Sequence, residues 1–233
     1  EPYRPFILVC AHAGVKTGED GPTHADPQAL QLLQENFPYG TMITLTPWDP
    51  QELWPVMSKA LAKRPAVIAP FVTRPSEEIL DREALGIAPA IDARWGVYQL
   101  RRPKGEGEGT LVLQGSEVGY AFVTGALPML IAEGIDLNVY YVASAELFDL
   151  LSPTEQERIF PVARANEAMG ITGFTLPTMY RWIRSDRGRQ MTLHPFKKGH
   201  YLGSGRADRV LAEAGLDGKS QFKAITRYLK ERV

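Results

Sequence analysis

The sequence has few cysteines, no long apolar run and no charge imbalance. Cys10 is the single cysteine among 233 residues, so no disulfide can form within the chain. No apolar run is long enough for a transmembrane helix, and the first residues lack the pattern of a signal peptide. The net charge of −1 gives no overall attraction for nucleic acid or for an anionic membrane. We therefore expect a cytoplasmic protein with no nucleic-acid and no membrane partner.

Apolar runs alternate with helical patterns in the first third of the chain. Strands are predicted at residues 5–11, 41–45 and 66–72, and helices at 27–36 and 50–63 between them. This order predicts a parallel sheet with right-handed crossovers. The run PFILVCA at 5–11 is typical of a strand that is covered on both faces. Because a strand begins so early, we expect further sequence upstream of it.

The alternation starts again after a weakly patterned stretch that contains Pro75 and Pro89. We therefore predict an α/β fold of two units with mainly parallel sheets: a domain at 1–80, a linker at 81–94 and a second domain at 95–233. The segment 166–189 has no clear pattern. The elements predicted in the second unit are strands at 95–100, 110–114 and 137–142, and helices at 115–133, 146–150, 153–159, 207–214 and 219–230.

A polar loop follows the first predicted strand and contains His12, Glu19, Asp20 and His24. Active sites of α/β sheets lie at the carboxyl ends of strands, and histidine suits proton exchange near neutral pH. Two interpretations stay open on these residues alone: a site where imidazoles and a carboxylate converge, or a plain surface turn rich in Gly and Asp. We predict no metal ligand, because His12 and His24 lack the spacing of metal-binding motifs.

The string GEDGPTH at 18–24 resembles the motif of the transketolases. In that family a histidine stands seven residues before the glutamate of the motif, and His12 has this spacing to Glu19. Further likenesses are the arginine after the third strand, Arg74, and short strings in the rest of the chain. These strings are GSEV at 115–118, SAELFD at 144–149, EA at 167–168 and YLGSG at 201–205.

The resemblance implies the second half of a pyrimidine-binding domain followed by a transketolase C-terminal domain. It implies transfer of a two-carbon ketol unit from a ketose phosphate to an aldose phosphate, in the pentose phosphate pathway of carbohydrate metabolism. The cofactor would be thiamine diphosphate with a divalent metal such as Mg²⁺. By the same resemblance, His12 and Arg74 hold the substrate phosphate, Asp20 binds a substrate hydroxyl, and His24 is catalytic beside the reacting ketol group.

The chain also departs from the family. Ala13-Gly14 stands where the family has Asp-Ser, Pro75 stands where it has Gln, and residues 169–196 do not align. The diphosphate-binding domain and the glutamate that activates the cofactor are expected upstream of this sequence, with the main cofactor-binding residues. We therefore expect an incomplete enzyme: a fragment, a nicked product or a subunit of a split enzyme. Its partner would be a second copy, as in a homodimer, or a chain with the diphosphate-binding domain.

Two other interpretations of the whole sequence stay open. One is a non-catalytic module for dimerisation or interaction. The other is a fragment of a different thiamine enzyme, such as a deoxyxylulose-phosphate synthase or the β-subunit of a keto-acid dehydrogenase. The basic stretch 181–189 favours a solvated or interface face over a nucleic-acid site. His194 and His200 are typical of structural or loop histidines.

Overall fold

The structure is a computed structural model that describes residues 3–11, 13–16 and 26–231. Its first sheet has the order β1-β3-β2 and is parallel throughout. The strands are β1 (Phe6–Ile7), β2 (Met42–Leu45) and β3 (Val67–Pro70). Helix α1 (Ala29–Leu33) precedes β2, and helix α2 (Pro50–Lys63) connects β2 to β3. The predicted parallel sheet of the first unit is therefore confirmed.

The second sheet has four strands in the order β4-β6-β5-β7. Its strands are β4 (Val97–Arg101), β5 (Thr110–Gln114), β6 (Asn138–Val142) and β7 (Ala168–Thr172). β5 runs parallel to both β6 and β7, whereas β4 is antiparallel to β6. Both sheets are thus mainly parallel and flanked by helices, as the sequence predicts.

Eight helices of the second unit surround this sheet in the described part of the chain. A π-helical turn, Phe122–Ala126, joins the first two into one continuous rod, where the sequence predicts a single helix. Short 3-10 helices span Ala90–Trp95 and Leu176–Met179. The eight are α3 (Ser116–Ala121), α4 (Leu127–Ala132), α5 (Ala145–Asp149), α6 (Pro153–Ile159), α7 (Val162–Glu167), α8 (Asp186–Met191), α9 (Ala207–Ala214) and α10 (Gly218–Lys230).

An Asp-Pro pair precedes each helix of the first unit, but only one of the two aspartates is the N-cap of its helix. Asp49 caps α2 by accepting a hydrogen bond from the Gln51 amide at 2.7 Å. Asp26 accepts amide hydrogen bonds from Gln28 and Ala29, but α1 begins only at Ala29. The predicted helix at 27–36 was too long, because the backbone becomes extended at residue 34 and left-handed at residue 35.

The largest hydrophobic cluster includes side chains from both sheets. Trp48, which follows β2, is fully buried and packs against Tyr141 of β6. Tyr98 of β4 also contacts the ring of Tyr141. Leu45 and Leu113 belong to the same cluster. The two sheets therefore share one continuous core. The predicted division at 1–80, 81–94 and 95–233 stays a prediction.

One expectation about the first strand was wrong. β1 is parallel to β3, but it is not covered on both faces. Phe6, Ile7, Leu8 and Val9 are 63%, 44%, 40% and 59% exposed, respectively. The physical reason is its position: β1 forms the edge of its sheet.

The segment without a clear pattern is well packed in the structure. It supplies the end of α7, all of β7 and the start of α8. Trp182 is buried against the rings of Phe148 and Phe160, and Arg181 forms ion pairs with Glu35 and Asp149. The basic stretch 181–189 is therefore anchored at its start and is not solvated throughout. Among the described residues, every helix is too short or too polar to cross a bilayer.

Candidate functional site

The carboxyl ends of β1 and β3 lie side by side. Cys10 forms a parallel bridge with Phe71, and the Val72 amide donates to the Cys10 carbonyl at 3.0 Å. From this edge the chain leads toward position 12 on one side and to the exposed Arg74 on the other. His12, Asp20 and His24 lie outside the described residues. The structure thus brings the ends of the two strands together and describes Arg74 alone among the four predicted site residues.

The loop after β1 starts and ends at this edge. Ala13 is buried and forms a parallel bridge with Asp26, on the far side of residues 17–25. Val15 is buried as well. The two ends of the loop that contains the GEDGPTH motif therefore lie close together, next to the ends of the strands.

Glu117, in the first turn of α3, holds the start of this loop. Its Oε1 accepts a hydrogen bond from the Val15 amide at 3.0 Å. Its Oε2 has no hydrogen-bond partner among the described residues, although the side chain is buried. Burial raises the pKa of the Glu117 carboxyl, and the amide hydrogen bond and the charge of Lys16 oppose this rise. The loop is therefore attached to the second unit through a buried acid.

Two glycines make room for this carboxyl group. Gly14 has φ +66°, and a Cβ at that position would lie 1.7 Å from Glu117 Oε1. A Cβ at Gly173, after β7, would lie 2.0 Å from the same oxygen. Position 14, where the chain departs from the family motif, requires glycine in this structure, because any side chain there would clash with Glu117.

Lys16 brings a positive charge next to the same acid. Its ammonium group forms an ion pair with Glu77 and lies 5.1 Å from the centre of the Tyr120 ring. Burial lowers the pKa of Lys16, and the charge of Glu117 opposes this shift. Lys16 thus lies between the carboxylates of Glu77 and Glu117. The sequence patterns did not predict this cluster. The string GSEV was the single sequence signal that pointed to Glu117.

Hydroxyl groups connect the ends of β2 and β3 to the start of α3. Ser116 Oγ donates to the carbonyl of Trp48 at 3.2 Å, and Thr73 Oγ1 lies 3.4 Å from Ser116 Oγ. Thr73 is the neighbour of Arg74 in the chain. These contacts place the residue before Arg74 against the strand–helix turn of the second unit.

A buried network lies near the same turn. Glu52 of α2 accepts hydrogen bonds from Arg82 Nη2 at 2.7 Å and from the Tyr98 hydroxyl. Arg82 Nε also contacts Asp49 Oδ2 at 3.0 Å, and Trp48 Nε1 donates to the Tyr98 hydroxyl at 2.9 Å. Burial raises the pKa of Glu52, while Arg82 and the hydrogen bonds oppose the rise. This network joins α2, the predicted linker and β4.

The residues that the structure describes do not fit a metal ion. They contain no group of three or more His, Cys, Asp or Glu side chains with metal-site geometry. Glu77 forms an ion pair with Lys16, and one carboxylate oxygen of Glu117 accepts from the Val15 amide. His194 is half-buried, and burial lowers its pKa to about 4. His200 is exposed.

Comparison with known proteins gives the family. No protein-family model matches the chain. The transketolase of Streptococcus pyogenes is 31% identical over 161 residues, which are 68% of this chain and 21% of that protein. The solved structure of the Leishmania mexicana transketolase superposes with a TM-score of 0.75 at 18% identity, over 95% of this chain and 30% of that chain.

A third similar protein has a solved structure described as a split gene transketolase, inactive beta4 tetramer. It has a TM-score of 0.59 at 17% identity and covers 97% of this chain and 66% of that chain. The present chain therefore spans a fifth to a third of the first two transketolases and about two thirds of the third protein. The predicted resemblance is confirmed: the chain is a relative of the transketolases that corresponds to one portion of them.

Proposed function

We propose that this chain is part of a transketolase-like enzyme that transfers a two-carbon ketol unit from a ketose phosphate to an aldose phosphate. One observation supports the proposal most: the ends of β1 and β3 are adjacent. The chain continues from this edge toward position 12 after β1 and toward Arg74 after β3. The relationship to transketolases supports the same reaction class.

The proposed roles follow the chemistry of the side chains. Arg74 and His12 bind the phosphate, because a guanidinium offers a planar fork of donors to phosphate oxygens. Asp20, an acceptor when ionised, selects a substrate hydroxyl as donor. His24 acts as the catalytic group, since an imidazole can exchange a proton with a sugar oxygen at neutral pH.

The cofactor belongs to another part of the assembled enzyme in this proposal. Thiamine diphosphate and its divalent metal, such as Mg²⁺, are bound mainly by a diphosphate-binding domain, as the resemblance implies, and the described residues here contain no cluster of metal-binding side chains. That domain is carried upstream or on a companion chain, and a second copy completes a homodimer. We place the enzyme in the pentose phosphate pathway in the cytoplasm.

Reconstitution tests the function. We expect no ketol transfer by this chain alone with thiamine diphosphate and Mg²⁺, and transfer from xylulose 5-phosphate to ribose 5-phosphate once the diphosphate-binding portion is added. A matched mixture that contains Asp20→Ala should discriminate less between epimeric sugars, by about tenfold to a hundredfold, because one buried hydroxyl loses its acceptor. Formation of a stable complex without any transfer would favour the alternative, a non-catalytic interaction module.

A further inference from the structure

A cavity of about 340 Å³ lies beside β4 and β6 of the second unit. Its wall is formed by the 3-10 helix before β4, by these two strands, and by the end of α6 with the start of α7. This volume is at the lower end of the range for pockets that bind small molecules. The charged and amide side chains that line it are Asp92, Gln99, Arg102, Asn138, Arg158 and Arg164.

Two of the three arginines in this lining have no partner in the part of the chain that the structure describes. The guanidinium groups of Arg102, after β4, and of Arg158, on α6, form no ion pair and no hydrogen bond there. Arg164, on α7, donates to Glu167 Oε1 at 2.6 Å. Because a guanidinium group carries five N–H donors, Arg164 keeps donors for a further group.

Two of these cations lie near the hydroxyl group of Tyr140 on β6. Burial raises the pKa of this hydroxyl, and the positive charges of Arg164 and Arg102 oppose the rise. Arg164 also forms a hydrogen bond with Tyr140. Arginines from two different elements therefore approach one point on the wall of the cavity. Like charges repel each other, and an anion between them would remove this repulsion.

The acids around the cavity leave part of its positive charge uncompensated. Glu167 pairs with one of the arginines, and Glu155 of α6 accepts a hydrogen bond from the Ser152 hydroxyl at 2.7 Å. Asp92 lines the cavity, but its carboxylate has no ion pair with a described residue. The lining residues thus carry three positive charges and one negative charge. A cleft in which one sign of charge dominates attracts ions of the opposite sign.

We propose that this cavity binds a small phosphate monoester that carries hydroxyl groups. Arg102, Arg158 and Arg164 hold the phosphate, because a guanidinium group offers a planar fork of donors to phosphate oxygens. The carboxylate of Asp92 is an acceptor and binds a hydroxyl group of the same ligand. The inference does not depend on the proposed function.

The charge of the lining favours a phosphate over a carboxylate. A phosphate monoester carries a charge of about −1.5 to −2 at pH 7 and has three strong acceptor oxygens. It therefore matches three guanidinium groups in both charge and number of acceptors. A carboxylate brings a single negative charge and two oxygens, which would leave one of the arginines without a partner.

The two amide side chains of the lining are held in place by hydrogen bonds. Gln99 Nε2 donates to Asn138 Oδ1 at 3.0 Å, and Asn138 Nδ2 donates to the carbonyl of Glu106 at 2.9 Å. Because their N–H₂ groups are ordered at the cavity wall, their NMR signals report on a ligand at this place and not elsewhere on the chain.

Titrations of the isotope-labelled chain at constant ionic strength test the proposal, with inorganic phosphate and glycerol 3-phosphate as probes. We expect saturable shifts of the side-chain amide signals of Gln99 and Asn138, with a Kd below about 1 mM and tighter binding of glycerol 3-phosphate. Arg102→Gln and Arg158→Gln should each raise the Kd by about tenfold to a hundredfold, as expected for one lost charge-assisted hydrogen bond. Both residues are exposed, so the variants should melt at the temperature of the unmodified chain.

The matched control is Arg209→Gln, which removes the same charge from an exposed position of α9 and should leave the Kd unchanged. Asp92→Ala should abolish the preference for glycerol 3-phosphate over inorganic phosphate. Shifts that do not saturate, or a Kd that neither arginine variant at the cavity changes, would overturn the site. Equal affinity for malonate would overturn the assignment to phosphate. Tighter binding of inorganic phosphate than of glycerol 3-phosphate would overturn the assignment of a hydroxyl-bearing ester.

Discussion

At the scale of single residues, Glu117 is a buried acid that connects the loop after β1 to the second unit. Its carboxyl group is buried against Gly14 and Gly173 and holds the Val15 amide. A charge in such surroundings loses its hydration, so burial raises its pKa. The residue stabilises the loop through one hydrogen bond, and its ionised form costs stability.

The pH dependence of Glu117→Gln follows from this shift. A folded pKa above the unfolded value means that the stability contribution is complete below the unfolded pKa, ordinarily about 4.3. It is lost as the pH rises through the folded pKa. Glutamine keeps an acceptor for the Val15 amide and cannot ionise. We therefore expect the free energy of unfolding of Glu117→Gln, relative to the unmodified chain, to increase from pH 4.5 to pH 8 in urea titrations.

Glu117→Ala serves as the contrasting variant. It removes the acceptor and leaves the Val15 amide buried without a partner, so at every pH in this range it should be less stable than Glu117→Gln by about 1–3 kcal/mol. A difference between Glu117→Gln and the unmodified chain that stays constant with pH would contradict the assigned burial of the charge.

Motif likeness is a stronger guide to residues than composition here. The GEDGPTH string indicated the family from one loop, because its residue types and its spacing to His12 are specific. Glu117 and Lys16 were not predicted as a pair, since they are distant in sequence and meet only through tertiary packing. The roles of His12, Asp20, His24 and Arg74 stay predictions.

At the scale of elements, the Glu52–Arg82 pair connects α2 to the segment before β4. Both side chains are buried, and a buried charge is costly once its partner is removed. We expect Arg82→Met to lower the free energy of unfolding by about 3–5 kcal/mol, the range for breaking a buried ion pair.

Two further variants make this measurement specific. Glu52→Gln in the Arg82→Met background should restore part of the loss, because no charge is then left without a partner. Arg209→Met, at an exposed position of α9, should change stability by no more than about 0.5 kcal/mol. No recovery in the double variant would show that Arg82 acts through packing on the Trp48 ring, which lies 4.7 Å away.

Elements with local signals were predictable. Asp49 with Pro50 and Ser152 with Glu155 specify helix starts through hydrogen bonds between close neighbours. α1 was shorter than predicted because the backbone becomes extended at residue 34 and left-handed at residue 35. The pattern of polar and apolar residues does not reveal this change of backbone conformation. β7 gave no clear pattern because all of its residues are buried, so it lacks the alternation of a half-exposed strand.

For the whole molecule, the alternation of strands and helices predicted two mainly parallel sheets correctly. It could not predict the shared core around Trp48 and Tyr141, because that core depends on how the two units pack. It also predicted cover for β1 that the described residues do not supply.

The central claim is that this chain supplies the sugar-phosphate edge of a transketolase-like enzyme, and Arg74→Ala in the assembled enzyme tests it most directly. We expect KM for phosphorylated sugars to rise by roughly tenfold to a hundredfold, the scale of one lost charge-assisted contact. Activity with hydroxypyruvate, a donor without phosphate, should stay nearly unchanged, and so should both activities of the control Arg209→Ala. An equal loss with both kinds of donor would contradict the account, because Arg74 would then support the fold and not the phosphate.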